Sequence, residues 1–126
     1  MPYDIYAEKI ILNYEHPHNK GVLKDADTRF KEYNQVCGDE IEVYIKINNK
    51  KIKDIKFIGR GCAISMASAS MITDFIKGKS IKEIEEYNVD TVKNILGMDP
   101  GPVRMKCATL SLRAIKEAVE KYKLEK

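Results

Sequence analysis

Ile41-Glu42-Val43-Tyr44-Ile45-Lys46-Ile47, followed by Asn48-Asn49-Lys50 and then Ile55-Lys56-Phe57 up to Gly59, decides the fold. Apolar residues alternate with polar ones across Ile41 to Ile47, the period of a half-buried strand. Asn48 to Lys50 carries the chemistry of a tight turn. The alternation resumes at Ile55 and Phe57 and stops at Gly59, giving a second strand that must run back along the first. Upstream, Thr28 to Tyr33 reads as a further strand joined antiparallel. Three strands with short connections make a meander with one face to bury.

On either side of this meander the period becomes helical. Tyr3, Ala7, Ile10, Ile11 and Tyr14 fall on one stripe of an amphipathic helix that Pro17 ends. His16 to Gly21 then reads as a mobile loop. After Gly61 the chain turns helical again, with Cys62 to Ile76 rich in Ala, Ser and Met and Gly78 as its stop. Ser80-Ile81-Lys82-Glu83 fits a capping box. Asp90 is placed to cap a further helix ending near Gly97, and Met98 to Val103, with two prolines and a glycine, reads as a loop. A last helix is expected to open at Cys107 and to carry Leu112, Ile115, Val119 and Tyr122 on its apolar side. The expected class is α+β: a three-stranded antiparallel sheet with an N-terminal helix and several C-terminal helices packed on it.

Composition agrees with one domain over residues 1–126. Apolar types are 44% and charged types 33% of the 126 residues, enough for one core and too apolar for disorder. The uncharged run Gly61 to Thr73 is 13 residues long, too short for a bilayer. Asp4, Glu8 and Lys9 stand where a secretory signal would be apolar, so a cytoplasmic protein is expected. A net charge of +3 gives no reason to invoke nucleic acid. Basic residues gather after Arg104, either as a solvated helix face or as a docking surface for an acidic protein.

The odd count of 3 cysteines argues against a disulfide framework and for metal binding or thiol chemistry. Cys37, Cys62 and Cys107 form no C-x-x-C pair. Each falls at an expected element end: Cys37 between the first two strands, Cys62 where the last strand meets a helix, Cys107 after the proline loop. A cysteine in the first turn of a helix is favoured as thiolate by the helix dipole, and both Cys62 and Cys107 are expected there. Asp39 lies two residues beyond Cys37, close enough to share a metal with it. Three thiolates and a carboxylate make a tetrahedral set for zinc or an iron–sulfur centre. Cysteines as small buried hydrophobes are the alternative at this point.

Three motifs carry a resemblance. Asn34 with Cys37-Gly38-Asp39, the run Gly59-Arg60-Gly61-Cys62-Ala63-Ile64-Ser65-Met66-Ala67-Ser68-Ala69-Ser70, and Arg104-Met105-Lys106-Cys107-Ala108-Thr109-Leu110 resemble the signatures of the IscU/NifU/SufU scaffold family. Tyr14 to Leu23 is similar to that family's opening loop. The resemblance implies a three-stranded sheet with helices packed on it. It implies Cys37, Asp39, Cys62 and Cys107 as ligands of a [2Fe–2S] cluster, with Zn(2+) as alternative occupant. It further implies a cysteine desulfurase as sulfur donor and apo iron–sulfur proteins as recipients, with no nucleic acid or membrane among the partners. The implied role is a scaffold rather than an enzyme. The alternatives are a zinc-dependent sulfurtransferase taking persulfide sulfur from the desulfurase, and a structural zinc module. Two departures stand out. Lys106 precedes Cys107 where IscU-type members carry His, and Pro100-Gly101-Pro102-Val103-Arg104 replaces their Leu-Pro-Pro-Val-Lys, which weighs against a histidine ligand and against the dedicated chaperone. His16 and His18 have no support as ligands.

Overall fold

The computed structural model describes residues 3–35 and 38–125, with side chains from Glu8 onward. Helix α1 (Tyr3–Glu15) leads into β1 (Thr28–Asn34), β2 (Asp39–Asn48) and β3 (Lys51–Arg60). Helices α2 (Ala63–Ile76), α3 (Ile81–Glu85), α4 (Val89–Leu96), α5 (Pro102–Ala108) and α6 (Leu110–Glu125) follow. The strands form one antiparallel sheet in the order β1-β2-β3. The α+β architecture is as expected.

The β2–β3 connection is a two-residue turn in which Asn49 and Lys50 have φ of 56° and 62°. Two successive positive φ values give the hairpin twist that matches right-handed strands. A bulge then resets the period. Ile45 pairs with Ile55, Lys46 with Asp54 and Ile47 with Ile52, which leaves Lys53 as the extra residue. Ile52 and Ile55, three apart, therefore both enter the core with Ile41, Val43, Ile45 and Phe57.

Helix α2 lies against α1, α4, α5, α6 and β3. A helix covered on so many sides has little room for large side chains, which is why Ala67, Ser68, Ala69 and Ser70 are all buried. Helix α6 packs on β1 and β2, burying Leu112, Ile115 and Val119. Thr28 of β1 donates its hydroxyl to the Ala118 carbonyl, tying the two elements together at 2.8 Å.

Several local expectations are revised. Of the α1 stripe, Ile10 is buried beside Asn13, whereas Ile11 and Tyr14 are exposed; the side chains of Tyr3 and Ala7 lie outside the described residues. Helix α4 is capped by Asn88, not Asp90: its side chain accepts from the Thr91 amide, and Thr91 reciprocates. Gly97 ends α4 in the left-handed region, and Ser80 with Glu83 forms the expected capping box on α3. The proline loop is shorter than expected, because Pro102 occupies the first turn of α5, where its missing N–H costs nothing.

The segment expected to be mobile is pinned at both ends. Gly21 donates its amide to the Phe57 carbonyl at 2.8 Å, and the Phe57 amide donates to the Asn19 carbonyl at 2.9 Å. The His18 amide donates to Ser70 Oγ, and the His18 ring bonds the Asp74 carboxylate. Asn19 Nδ2 donates to Thr73 Oγ1 and Asp74 Oδ1, each at 2.9 Å. Near the other end of β3, Ile52 exchanges bonds with Lys79 and Gly78. Among the described residues no helix is long and apolar enough to cross a membrane.

Candidate metal centre

Antiparallel pairing places the start of β2 beside the end of β3. Glu40 is opposite Arg60 and Ile41 opposite Gly59. Asp39, one residue earlier, therefore sits next to Gly61 and Cys62. Close approach at this corner requires glycine. A Cβ at Gly59 would lie 2.3 Å from the Glu40 carbonyl oxygen, and one at Gly61 would lie 2.8 Å from both Asp39 Cγ and Ser65 Oγ.

Helix α5 supplies the third side. Cys107 is 3% exposed, Asp39 is 4% exposed and Cys62 is exposed. Their ligating atoms all lie within 4.8 Å of one another, a group that could hold a metal ion. Donors about 2.3 Å from a tetrahedral zinc stand about 3.8 Å apart. The observed spacing is wider than that geometry, and the chemistry of two thiols with a carboxylate suits a thiophilic metal. Cys37, the remaining candidate ligand, lies outside the described residues.

The two described cysteines occupy different electrostatic positions. Cys62 is the N-cap of α2, as expected for a thiolate favoured by the helix dipole. Partial burial of the Cys62 sulfur opposes its ionisation, although the residue as a whole is exposed. The Ser65 hydroxyl and amide, Cys107 and the Ile64 amide outweigh it and hold the thiol below its ordinary value. Cys107 departs from expectation. It lies in the last turn of α5 rather than opening α6, at the carbonyl end of a helix that gives a thiolate no help. Lys106 and Arg104 beside it are exposed.

Two residues of the site were quoted within motifs but given no role by the sequence. Ser65, on the first turn of α2, donates to Asp39 Oδ2 at 2.7 Å and lies 3.2 Å from Cys62 Sγ. A hydroxyl has one proton to give. While Asp39 holds it, Cys62 as thiol donates to Ser65 Oγ; as thiolate, Cys62 competes for that proton. Asn34 closes β1 and donates Nδ2 to Cys107 Sγ at 3.5 Å. Ser65 follows Cys62 by three residues, the spacing of a cap and its first turn, a signal that could have singled it out. His18 is outside the cluster. Its anchor Ser70 is eight residues along α2 from Cys62, about 12 Å by helix rise.

A sheet corner and two helix ends that bring two thiols and a carboxylate together mark an α+β domain with a candidate metal site. The family described as NifU-like N terminal domain matches residues 5–126, and the chain belongs to it. The chain is 37% identical over 118 residues to "Iron-sulfur cluster assembly scaffold protein IscU 1" of Archaeoglobus fulgidus, covering 94% of this chain and 76% of that protein. It is 37% identical over 134 residues to "Zinc-dependent sulfurtransferase SufU" of Bacillus subtilis, covering 93% and 90%. A crystal structure from the thermophile Fervidobacterium islandicum, of a candidate iron–sulfur cluster assembly scaffold protein for the SUF system, superposes with TM-score 0.77. It has 27% identity, with 94% of this chain and 99% of that one covered.

Proposed function

We propose that this chain is a scaffold for iron–sulfur cluster assembly, with Cys37, Asp39, Cys62 and Cys107 as the ligands of a [2Fe–2S] cargo. The observation that carries the reading is the meeting of Asp39, Cys62 and Cys107 within 4.8 Å at a partly open corner. Sulfur arrives from a cysteine desulfurase in the cytoplasm, and the finished cluster leaves to apo-proteins. The ligand chemistry suits cargo. Clusters kept for electron transfer are held by four thiolates, and a carboxylate is a harder and weaker partner for iron–sulfur. An incoming acceptor thiolate can displace Asp39 first, and the exposed Cys62 next.

The thiols are prepared for this work by position. Cys62 is turned toward thiolate at the N-terminus of α2, while Ser65 keeps the Asp39 carboxylate in place. The test is anaerobic reconstitution with ferrous iron, cysteine, a desulfurase and a dithiol reductant that takes the persulfide sulfur down to sulfide. An oxygen-sensitive visible chromophore is expected in the wild type and is lost when Cys62 or Cys107 is replaced by Ser.

A second reading rests on the exposure of Cys62 and on the Bacillus subtilis relative. The domain would then be a zinc-dependent sulfurtransferase. A chain thiolate would attack the outer sulfur of the desulfurase persulfide, forming a new S–S bond as the desulfurase thiolate leaves. That reading is favoured if zinc-loaded protein speeds desulfurase turnover and reconstitution yields no chromophore.

A further inference from the structure

We propose that Asn34 is a positioning residue for the metal centre, acting through Cys107 by a hydrogen bond to its sulfur. This rests on the metal-centre reading above. Asn34 is 4% exposed and is the last residue of β1. It stands directly across from Asp39 in the sheet register. Its carbonyl accepts from the Gly38 amide at 2.8 Å. Its side-chain amide reaches the other way, 3.5 Å to Cys107 Sγ, bridging 73 positions of chain. One residue thus joins Gly38, the start of β2 and the end of α5.

The sulfur it touches stands in different surroundings from that of Cys62. Cys62 has the amide end of α2 and the Ser65 hydroxyl around it. Cys107 is buried in the last turn of α5, at the carbonyl end of that helix. A neutral amide N–H draws density from a metal-bound sulfur without adding charge, and such outer contacts orient ligands and tune the centre. A carboxamide, unlike a lysine, does this without repelling the metal ion. Asn34 makes the two sulfurs unequal: Cys107 anchored and hydrogen-bonded by a side-chain amide, Cys62 exposed and exchangeable.

The test uses cobalt(II) alone as probe on the full chain, comparing wild type, Asn34→Leu and Asn34→Gln. Leu keeps the branching at Cγ and removes the donor; Gln keeps the amide. Asn34→Leu is expected to move the sulfur-to-cobalt charge-transfer bands to longer wavelength and to weaken cobalt binding by about 10- to 100-fold. Asn34→Gln is expected to recover part of both changes. A wild type that binds cobalt with thiolate bands, and an Asn34→Leu variant with the same bands and affinity, would overturn the role of Asn34 and leave the metal centre standing. A wild type that takes up no cobalt would overturn both. Should Asn34→Leu fail to fold, cadmium-113-loaded wild type decides: the Asn34 side-chain amide proton is expected to couple to the metal through Sγ, and no coupling in cadmium-bound protein overturns the proposal.

Discussion

Ser65 Oγ stands 2.7 Å from Asp39 Oδ2 and 3.2 Å from Cys62 Sγ, so a single hydroxyl joins a buried carboxylate on the sheet to a cysteine at the head of α2. Replacing it by Ala would leave a carboxylate that is 4% exposed without that donor. Ser65→Ala is expected to cost the metal-free protein roughly 1–3 kcal/mol, read from urea unfolding. With zinc bound the cost should shrink, because the metal then takes over the carboxylate. An equal cost in both forms would count against Asp39 as a ligand.

The two glycines of this corner should respond differently. Gly59→Ala sets a Cβ against backbone, 2.3 Å from the Glu40 carbonyl oxygen, and the paired strands must part. Gly61→Ala presses on side chains, Asp39 and Ser65. The first is expected to lower stability more, and the second to lower zinc affinity more. Thermal melting and chelator competition measure the two effects; the reverse order would show that the corner yields in some other way.

Asp39 itself separates a releasing site from a static one. Asp39→Ala keeps the thiolates and removes the weak ligand. The variant is expected to fold and to acquire a cluster, and to transfer it to an apo-acceptor more slowly than wild type under anaerobic conditions. Equal transfer rates with intact circular dichroism would remove Asp39 from the mechanism.

Chelation gives a further contrast. A metal bound only by the folded state stabilises it by mass action, about 2.7 kcal/mol when free metal is 100 times its dissociation constant. Yet the core from Ile10 to Val119 draws on the sheet and on every helix from α1 to α6. Chelator should therefore lower the melting temperature without unfolding the chain at room temperature. Loss of the far-ultraviolet signal on chelation would instead identify a structural zinc module.

The clasp between His18 and Asp74 gives a pH dependence. Partial burial raises the Asp74 pKa. The hydrogen bonds from His18 and Asn19, with the charges of His18 and Lys77, outweigh this and hold it below 3.8. A depressed folded pKa means stability present above 3.8 and lost as pH falls through the lower folded value. The effect is small, since the pair is largely exposed. Asp74→Asn should flatten the acid limb of the stability curve, measured by urea midpoints from neutral to strongly acid pH. An unchanged acid limb would show that the clasp adds nothing.

Much of the fold could be read from periodicity. Ile41 to Ile47 alternate cleanly because β2 is central and has one face on the core, and Leu112, Ile115 and Val119 follow the helical period over β1 and β2. Elsewhere tertiary context overrode the local pattern. Ile11 and Tyr14 share a helical stripe with Ile10 but extend past the surface that α2 offers. Pro102 reads as a loop residue and proves to open α5, since both roles suit a residue without an N–H. That shift moved Cys107 from the start of one helix to the end of another. The metal-centre residues were visible as motifs, whereas Asn34 and Ser65 acquired their partners from pairing between segments far apart in sequence.

The segment around Asn19 and Gly21 has a consequence beyond holding His18. An outermost strand normally offers a row of free amides and carbonyls to any passing chain. On β3 the Phe57 amide and carbonyl are already taken by Asn19 and Gly21, and Ile52 by Lys79 and Gly78. The opposite border, β1, presents Arg29 and Lys31, charges that discourage a neutral strand from adding there. These contacts and charges work against lengthening of the sheet by a second copy, while Cys62 stays exposed at the corner where β3 ends.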